Sequence, residues 1–126
     1  MNALRPRLLW IDGIGGLVVG ALFVGLAPWL AELYGFSAGL TRGLGVANLA
    51  YGSFSLPLAR RAVRPMWRIK ALALANVAWG VVCAVLVVRL WGEATAFGTA
   101  HLALEGTYVA ELGALEWRWR EALRVR

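Results

Sequence analysis

Four apolar stretches, at residues 8–30, 43–59, 71–91 and 97–117, make up most of this chain, and short basic clusters separate them unevenly. An α-helix needs roughly 20 apolar residues to cross a hydrocarbon layer of roughly 30 Å. Inside lipid, each backbone N–H and C=O must find its partner within the protein, and a single helix meets that demand by itself. Sixty per cent of the residues are hydrophobic and only 16% are charged, too little polar sequence to clothe a water-soluble surface. The expected fold is therefore all-α: a polytopic integral membrane protein forming one four-helix transmembrane bundle over residues 1–126. Arg5 and Arg7 would suit the start of a cleaved signal peptide. Asp12, however, lies early in the apolar run and no A-x-A site follows, so a retained first helix is expected.

Orientation follows from the basic residues. Arg5 and Arg7, the loop at residues 60–70 with Arg60, Arg61, Arg64, Arg68 and Lys70, and the tail at residues 118–126 with Arg118, Arg120, Arg124 and Arg126 fall on one side. The other side receives Arg42 and Arg89. The positive-inside rule then places both termini in the cytoplasm of a multi-pass protein of a bacterial-type inner or plasma membrane. Trp10, Trp67, Trp117 and Trp119 fall at the inner interface and Trp29 and Trp91 at the outer one, where amphipathic rings prefer to lie. Only Trp79 is mid-span. The basic clusters suit lipid headgroups, and no nucleic-acid motif accompanies them. Membrane lipids are the expected partners, with a homo-oligomer or a larger membrane complex next. Gly16 and Gly20 offer a small-residue face for close approach by a neighbouring helix and are one candidate dimer interface.

The fourth stretch carries the most informative pattern. At 100° per residue, His101, Glu105, Tyr108, Leu112, Glu116 and Trp119 share one stripe, and Glu111 stands at its edge. In so apolar a chain the stripe is expected to face inward. With a rise of about 1.5 Å per residue, depths can be compared between spans. His101, Asn48, Glu105, Tyr51 and Cys83 fall near one level, and Asp12, Asn76 and Glu111 near a second. Tyr108 and Trp79 lie between them. Glu116 falls near the inner interface, where solvent or Arg120 would meet it. No lysine or arginine shares the depth of Asp12, Glu105 or Glu111. Their carboxyls should therefore turn into the bundle and either pair with donors or take up a proton.

A hexapeptide recurs: Ala47-Asn48-Leu49-Ala50-Tyr51-Gly52 matches Ala75-Asn76-Val77-Ala78-Trp79-Gly80, 28 positions later. Consecutive spans run in opposite directions, so the second and third would form an inverted repeat, of the kind found in transporters. Helix packing explains the same motif: small residues for contact, asparagine for an interhelical hydrogen bond, an aromatic ring to fill the gap.

Three functions fit. The first is a protein that binds or moves a small amphiphile or protons in the polar seam, with Asp12, Asn48, Tyr51, Asn76, Trp79, His101, Glu105, Tyr108 and Glu111 as candidate binding residues. The second is a non-catalytic accessory or scaffold subunit. The third is a membrane-embedded acid–base enzyme acting on a lipid or isoprenoid through His101, Glu105, Tyr108 and Asp12. A non-enzymatic role is favoured. His101 and Glu105 have the i, i+4 spacing of a metal pair, yet one histidine and one cysteine supply no third ligand, so neither metal nor cofactor is expected.

Overall fold

A computed structural model describes residues 5–125. The backbone is helical almost throughout: a 3-10 turn at Arg5–Arg7, then α1 (Leu8–Gly25), α2 (Ala27–Tyr34), α3 (Ala38–Arg60), α4 (Met66–Arg89), α5 (Ala96–Arg118) and α6 (Arg120–Leu123). Two of these, α1 and α4, are long and apolar enough to cross a membrane. Helix α3 carries Thr41, Arg42, Asn48 and Ser55, and α5 carries His101 and three glutamates, so both are more polar than α1 and α4 at similar length.

The long helices pack as two close pairs, α1 along α3 and α4 along α5, and the pairs touch each other more sparingly. Glycine explains the closeness of the first pair. A Cβ on Gly16 would stand 2.8 Å from the Asn48 carbonyl oxygen, and one on Gly52 would stand 2.7 Å from the Leu17 nitrogen. In the second pair, a Cβ on Gly113 would stand 2.6 Å from the Ala73 carbonyl oxygen. Gly16 and Gly20 are thus spent on contact with α3 within the chain and are not a free face for a second copy.

The first apolar stretch does not continue as one helix. It stops at Gly25, and Leu26 leads into α2, which has Pro28 in its first turn, where the missing N–H costs no helical bond. Residues 31–42, with Tyr34, Gly35, Ser37 and Gly39, read as a short polar connection. Helix α2 occupies part of it and α3 starts at Ala38, with the Ser37 hydroxyl capping the Leu40 N–H at 3.0 Å. Gly35, at φ +70°, ends α2 in the left-handed region. The carbonyls left open there are taken up by Thr95, the N-cap of α5: its hydroxyl donates to Leu33 O at 2.7 Å and its N–H to Tyr34 O at 2.9 Å.

At the opposite end, the alternating charge of residues 118–126 suggests a helix that continues into water or along the headgroups, and the C-terminal tail departs from that expectation. It does not run straight on into water or along headgroups. The chain breaks at Trp119 and α6 turns back, burying Leu123 among Leu8, Leu9, Leu58 and Ile69. Arg64, buried to 3% exposure, ties this end down by donating from its guanidinium to the carbonyls of Leu58, Ala59 and Leu123 at 2.8–2.9 Å. The Arg64 N–H bonds Arg124 O at 2.7 Å, and Val63 and Val125 form an isolated antiparallel bridge. Five donors in a planar fork make arginine suited to gather several carbonyls at once.

Candidate polar cleft

Two polar clusters lie between the helix pairs. The first joins α1, α4 and α5. Asn76 of α4 donates from its one side-chain nitrogen to Asp12 Oδ2 at 2.6 Å and to Glu116 Oε1 at 2.8 Å. All three side chains are buried, Glu116 at 0% exposure. The carboxyls of Asp12 and Glu116 also face each other, and the buried hydroxyl of Ser55 on α3 lies beside Asp12. Among the described residues Arg124 pairs with Glu121 and His101 stands beside Glu105, and no described lysine or arginine side chain pairs with either acid of this cluster.

The second cluster surrounds Glu105. Trp79 Nε1 donates to Oε2 at 3.2 Å, Asn48 Nδ2 to Oε1 at 3.4 Å, and Cys83 Sγ lies 3.8 Å from Oε2. His101 Nε2 stands 3.5 Å from Oε1 as an i, i+4 neighbour. Behind it, the imidazole stacks on Tyr34 with ring centroids 5.1 Å apart, and its Nδ1 lies 3.4 Å from the Tyr34 hydroxyl. Glu105 is therefore surrounded by donors, all of them at long range. Hydrogen bonds to a carboxylate are shorter when well made, near 2.7–2.9 Å.

The repeated hexapeptide does the same work twice. Gly52 seats α3 against α1, and Gly80 seats α4 against α5. Asn48 and Asn76 each reach a carboxyl on another helix. Tyr51 and Trp79 meet between the pairs, ring centroids 6.1 Å apart, and the Tyr51 hydroxyl donates to Ala75 O at 2.6 Å.

A cleft of about 350 Å³ runs between the pairs and touches both clusters. Asp12, Asn48, Tyr51, Asn76, Trp79, His101, Glu105 and Tyr108 line it, with Gly15, Gly16, Val19, Leu104, Val109 and Leu112. The structure brings together all the sequence-derived binding candidates but one. Glu111 is exposed on the outer face of α5 and does not reach the cleft. The residue that meets Asp12 and Asn76 is Glu116, five positions further on. The expectation that solvent or Arg120 would meet Glu116 fails for the same reason: α6 folds back and closes that end, while Arg120 Nη1 donates to Trp117 O at 2.6 Å. Glu116 shares the inward stripe of His101, Glu105 and Tyr108, so direction marked it correctly. Only the depth count, which took the helix to run straight out, set it aside. Comparisons with protein-family models, with curated proteins and with solved structures found no match.

Proposed function

We propose that this chain is a multi-pass membrane protein that binds a small amphiphile in the cleft between its two helix pairs. The observation that carries the reading is the convergence of eight polar and aromatic side chains, from four helices, on one space of about 350 Å³. Cavities of this order hold small molecules when apolar walls carry a few placed polar groups. Four spans with both termini cytoplasmic are part of the proposal, supported by the basic clusters and by the bareness of the apolar helices. Only 22% of the apolar stretch of α4 is buried, and Val77, Val81, Val82, Val85 and Val88 stand exposed along it. Water would penalise that surface by about 25 cal/mol per Å², whereas lipid tails accept it. Trp29, Trp67 and Trp91 are also exposed, near helix ends.

Lipids of a bacterial-type inner membrane are the surrounding partners in this reading, and movement of the ligand or of protons along the seam is its extension. The acid–base enzyme reading is weakened by dispersal: His101 and Glu105 pair at one end of the cleft, while Asp12 is held by Asn76 in the other cluster. The scaffold reading is weakened by the cleft itself.

Gly15 supplies the test. A Cβ there would meet only the Tyr108 hydroxyl, at an ordinary 3.7 Å, so Gly15→Leu can extend into the cleft without striking backbone. In lipid nanodiscs, a diazirine-bearing alkyl alcohol should label cleft residues of the wild type saturably. Gly15→Leu should unfold at nearly the same temperature and lose that labelling at least about tenfold, because the space is filled. Gly25→Leu, which meets nothing within 4 Å, should label as the wild type does. Equal labelling of Gly15→Leu and wild type would overturn the cleft as the binding site.

A further inference from the structure

We propose that the amphiphile is a lipophilic organic monocation, of the alkylammonium class, whose charged head rests on Glu105 beside Trp79; this deepens the reading of the cleft and depends on it.

The sign of the charge follows from the walls. Two carboxyl groups, Asp12 and Glu105, line the cleft, His101 is the basic side chain among the lining residues, and no lysine or arginine joins them. An anion brought there would face both acids in a poorly screened interior. Its position follows from the hydrogen bonds. Asp12 is already gripped by Asn76 at 2.6 Å. Glu105 has only long contacts, at 3.2, 3.4, 3.5 and 3.8 Å, and so keeps the greater capacity for a new partner. The aromatic lining adds the second element of cation recognition. Trp79 directs its indole N–H at the same carboxylate, which fixes the ring beside the place a cationic head would occupy, and Tyr51 and Tyr108 line the way past it. Aromatic rings attract desolvated ammonium groups through their quadrupoles, tryptophan most strongly. The apolar wall of Val19, Leu104, Val109 and Leu112 then receives the hydrocarbon part.

The experiment compares three probes with one tail: octyltrimethylammonium, octanol and octyl sulfate, each isotopically labelled and offered to the protein in phosphatidylcholine nanodiscs. The cation should bind saturably at least about tenfold more tightly than octanol, and octyl sulfate should not bind above its partition into lipid. Glu105→Gln should bring the cation to the octanol level while leaving octanol binding in place. If Glu105→Gln does not fold, Trp79→Leu serves instead, with Trp79→Phe expected to restore part of the preference for the cation. Equal saturable binding of cation and octanol to the wild type would overturn the charge assignment and leave the amphiphile cleft standing. Saturable binding of none of the three would overturn both.

Discussion

Replacing Asn76 with leucine is expected to remove a large share of the protein's stability. Leucine branches at Cγ as asparagine does, with the same number of heavy atoms and somewhat more bulk, so no cavity forms, and what disappears is a pair of N–H donors. Asp12 Oδ2 and Glu116 Oε1 would lose their bonds of 2.6 and 2.8 Å in a buried place, where the two carboxyls have little besides each other and Ser55 to turn to. Each orphaned group costs about 1–3 kcal/mol, and more when charged, against a total stability of about 5–15 kcal/mol for a typical domain. A loss of about 3–6 kcal/mol should therefore appear in denaturant unfolding from mixed micelles. Adding Glu116→Leu to Asn76→Leu should recover part of it, since one of the two unsatisfied acids goes too. Asn48→Leu is the comparison. Asn48 donates to Leu44 O of its own helix at 2.9 Å and reaches Glu105 only at 3.4 Å, so its removal should cost about 1 kcal/mol. Equal losses from the two asparagine variants would show that Asn76 does not hold the acids together.

The second large effect is expected at the crossing of α1 and α3. A side chain on Gly52 has nowhere to go: its Cβ would stand 2.7 Å from Leu17 N and 2.8 Å from Gly13 O. Backbone cannot step aside as a flexible side chain can, so the helices must part. Overpacking of this kind costs typically 1–3 kcal/mol, occasionally more. Gly52→Ala should fall in that range, and Gly52→Leu should prevent folding. Because parting the helices displaces α3, which brings Asn48 to Glu105 and Tyr51 to the cleft wall, Gly52→Ala should also lower the occupancy of the proposed octyltrimethylammonium site. Gly43→Ala, on the same helix with nothing within 4 Å of its Cβ, should be neutral or stabilise by up to about 1 kcal/mol. Thermal unfolding of the two alanine variants side by side distinguishes a specific crossing from a general aversion to alanine in α3.

Where the sequence reading succeeded, it did so through residues whose chemistry has few solutions. The stripe from His101 to Glu116 could be read as inward because so apolar a chain has little polar sequence to clothe a surface. His101, Glu105, Leu112 and Glu116 are buried or half-buried, while Tyr108 is 46% exposed. Asp12 and Asn76 could be set at one level because helical rise converts sequence position into depth; their side chains hydrogen-bond. The exchange of Glu111 for Glu116 has a non-local cause. Which carboxyl is buried depends on the break at Trp119, on Leu123 turning back into the core, and on Arg64 gathering carbonyls from two segments. No local pattern in RWREALRVR announces that return. The break after Gly25 was marked by Pro28, but a proline near the end of a span fits an exit as well as a new helix. The pairing of α1 with α3 and of α4 with α5 was only half legible. The glycines showed that helices would meet closely there, and which helix each would meet was settled by packing.

Oxygen and a water-soluble nickel chelate, tested as collision partners of a nitroxide at position 81 in a Cys83→Ala background, probe the membrane reading most directly. Val81 is exposed within the apolar stretch of α4, one of the two helices long and apolar enough to cross a membrane, and it is not among the residues that line the cleft. If α4 crosses a bilayer with the acids turned inward, the label in reconstituted vesicles should collide often with oxygen and hardly at all with nickel, as lipid tails dictate. Frequent collision with nickel at position 81 would place this face in water and contradict the membrane-spanning account.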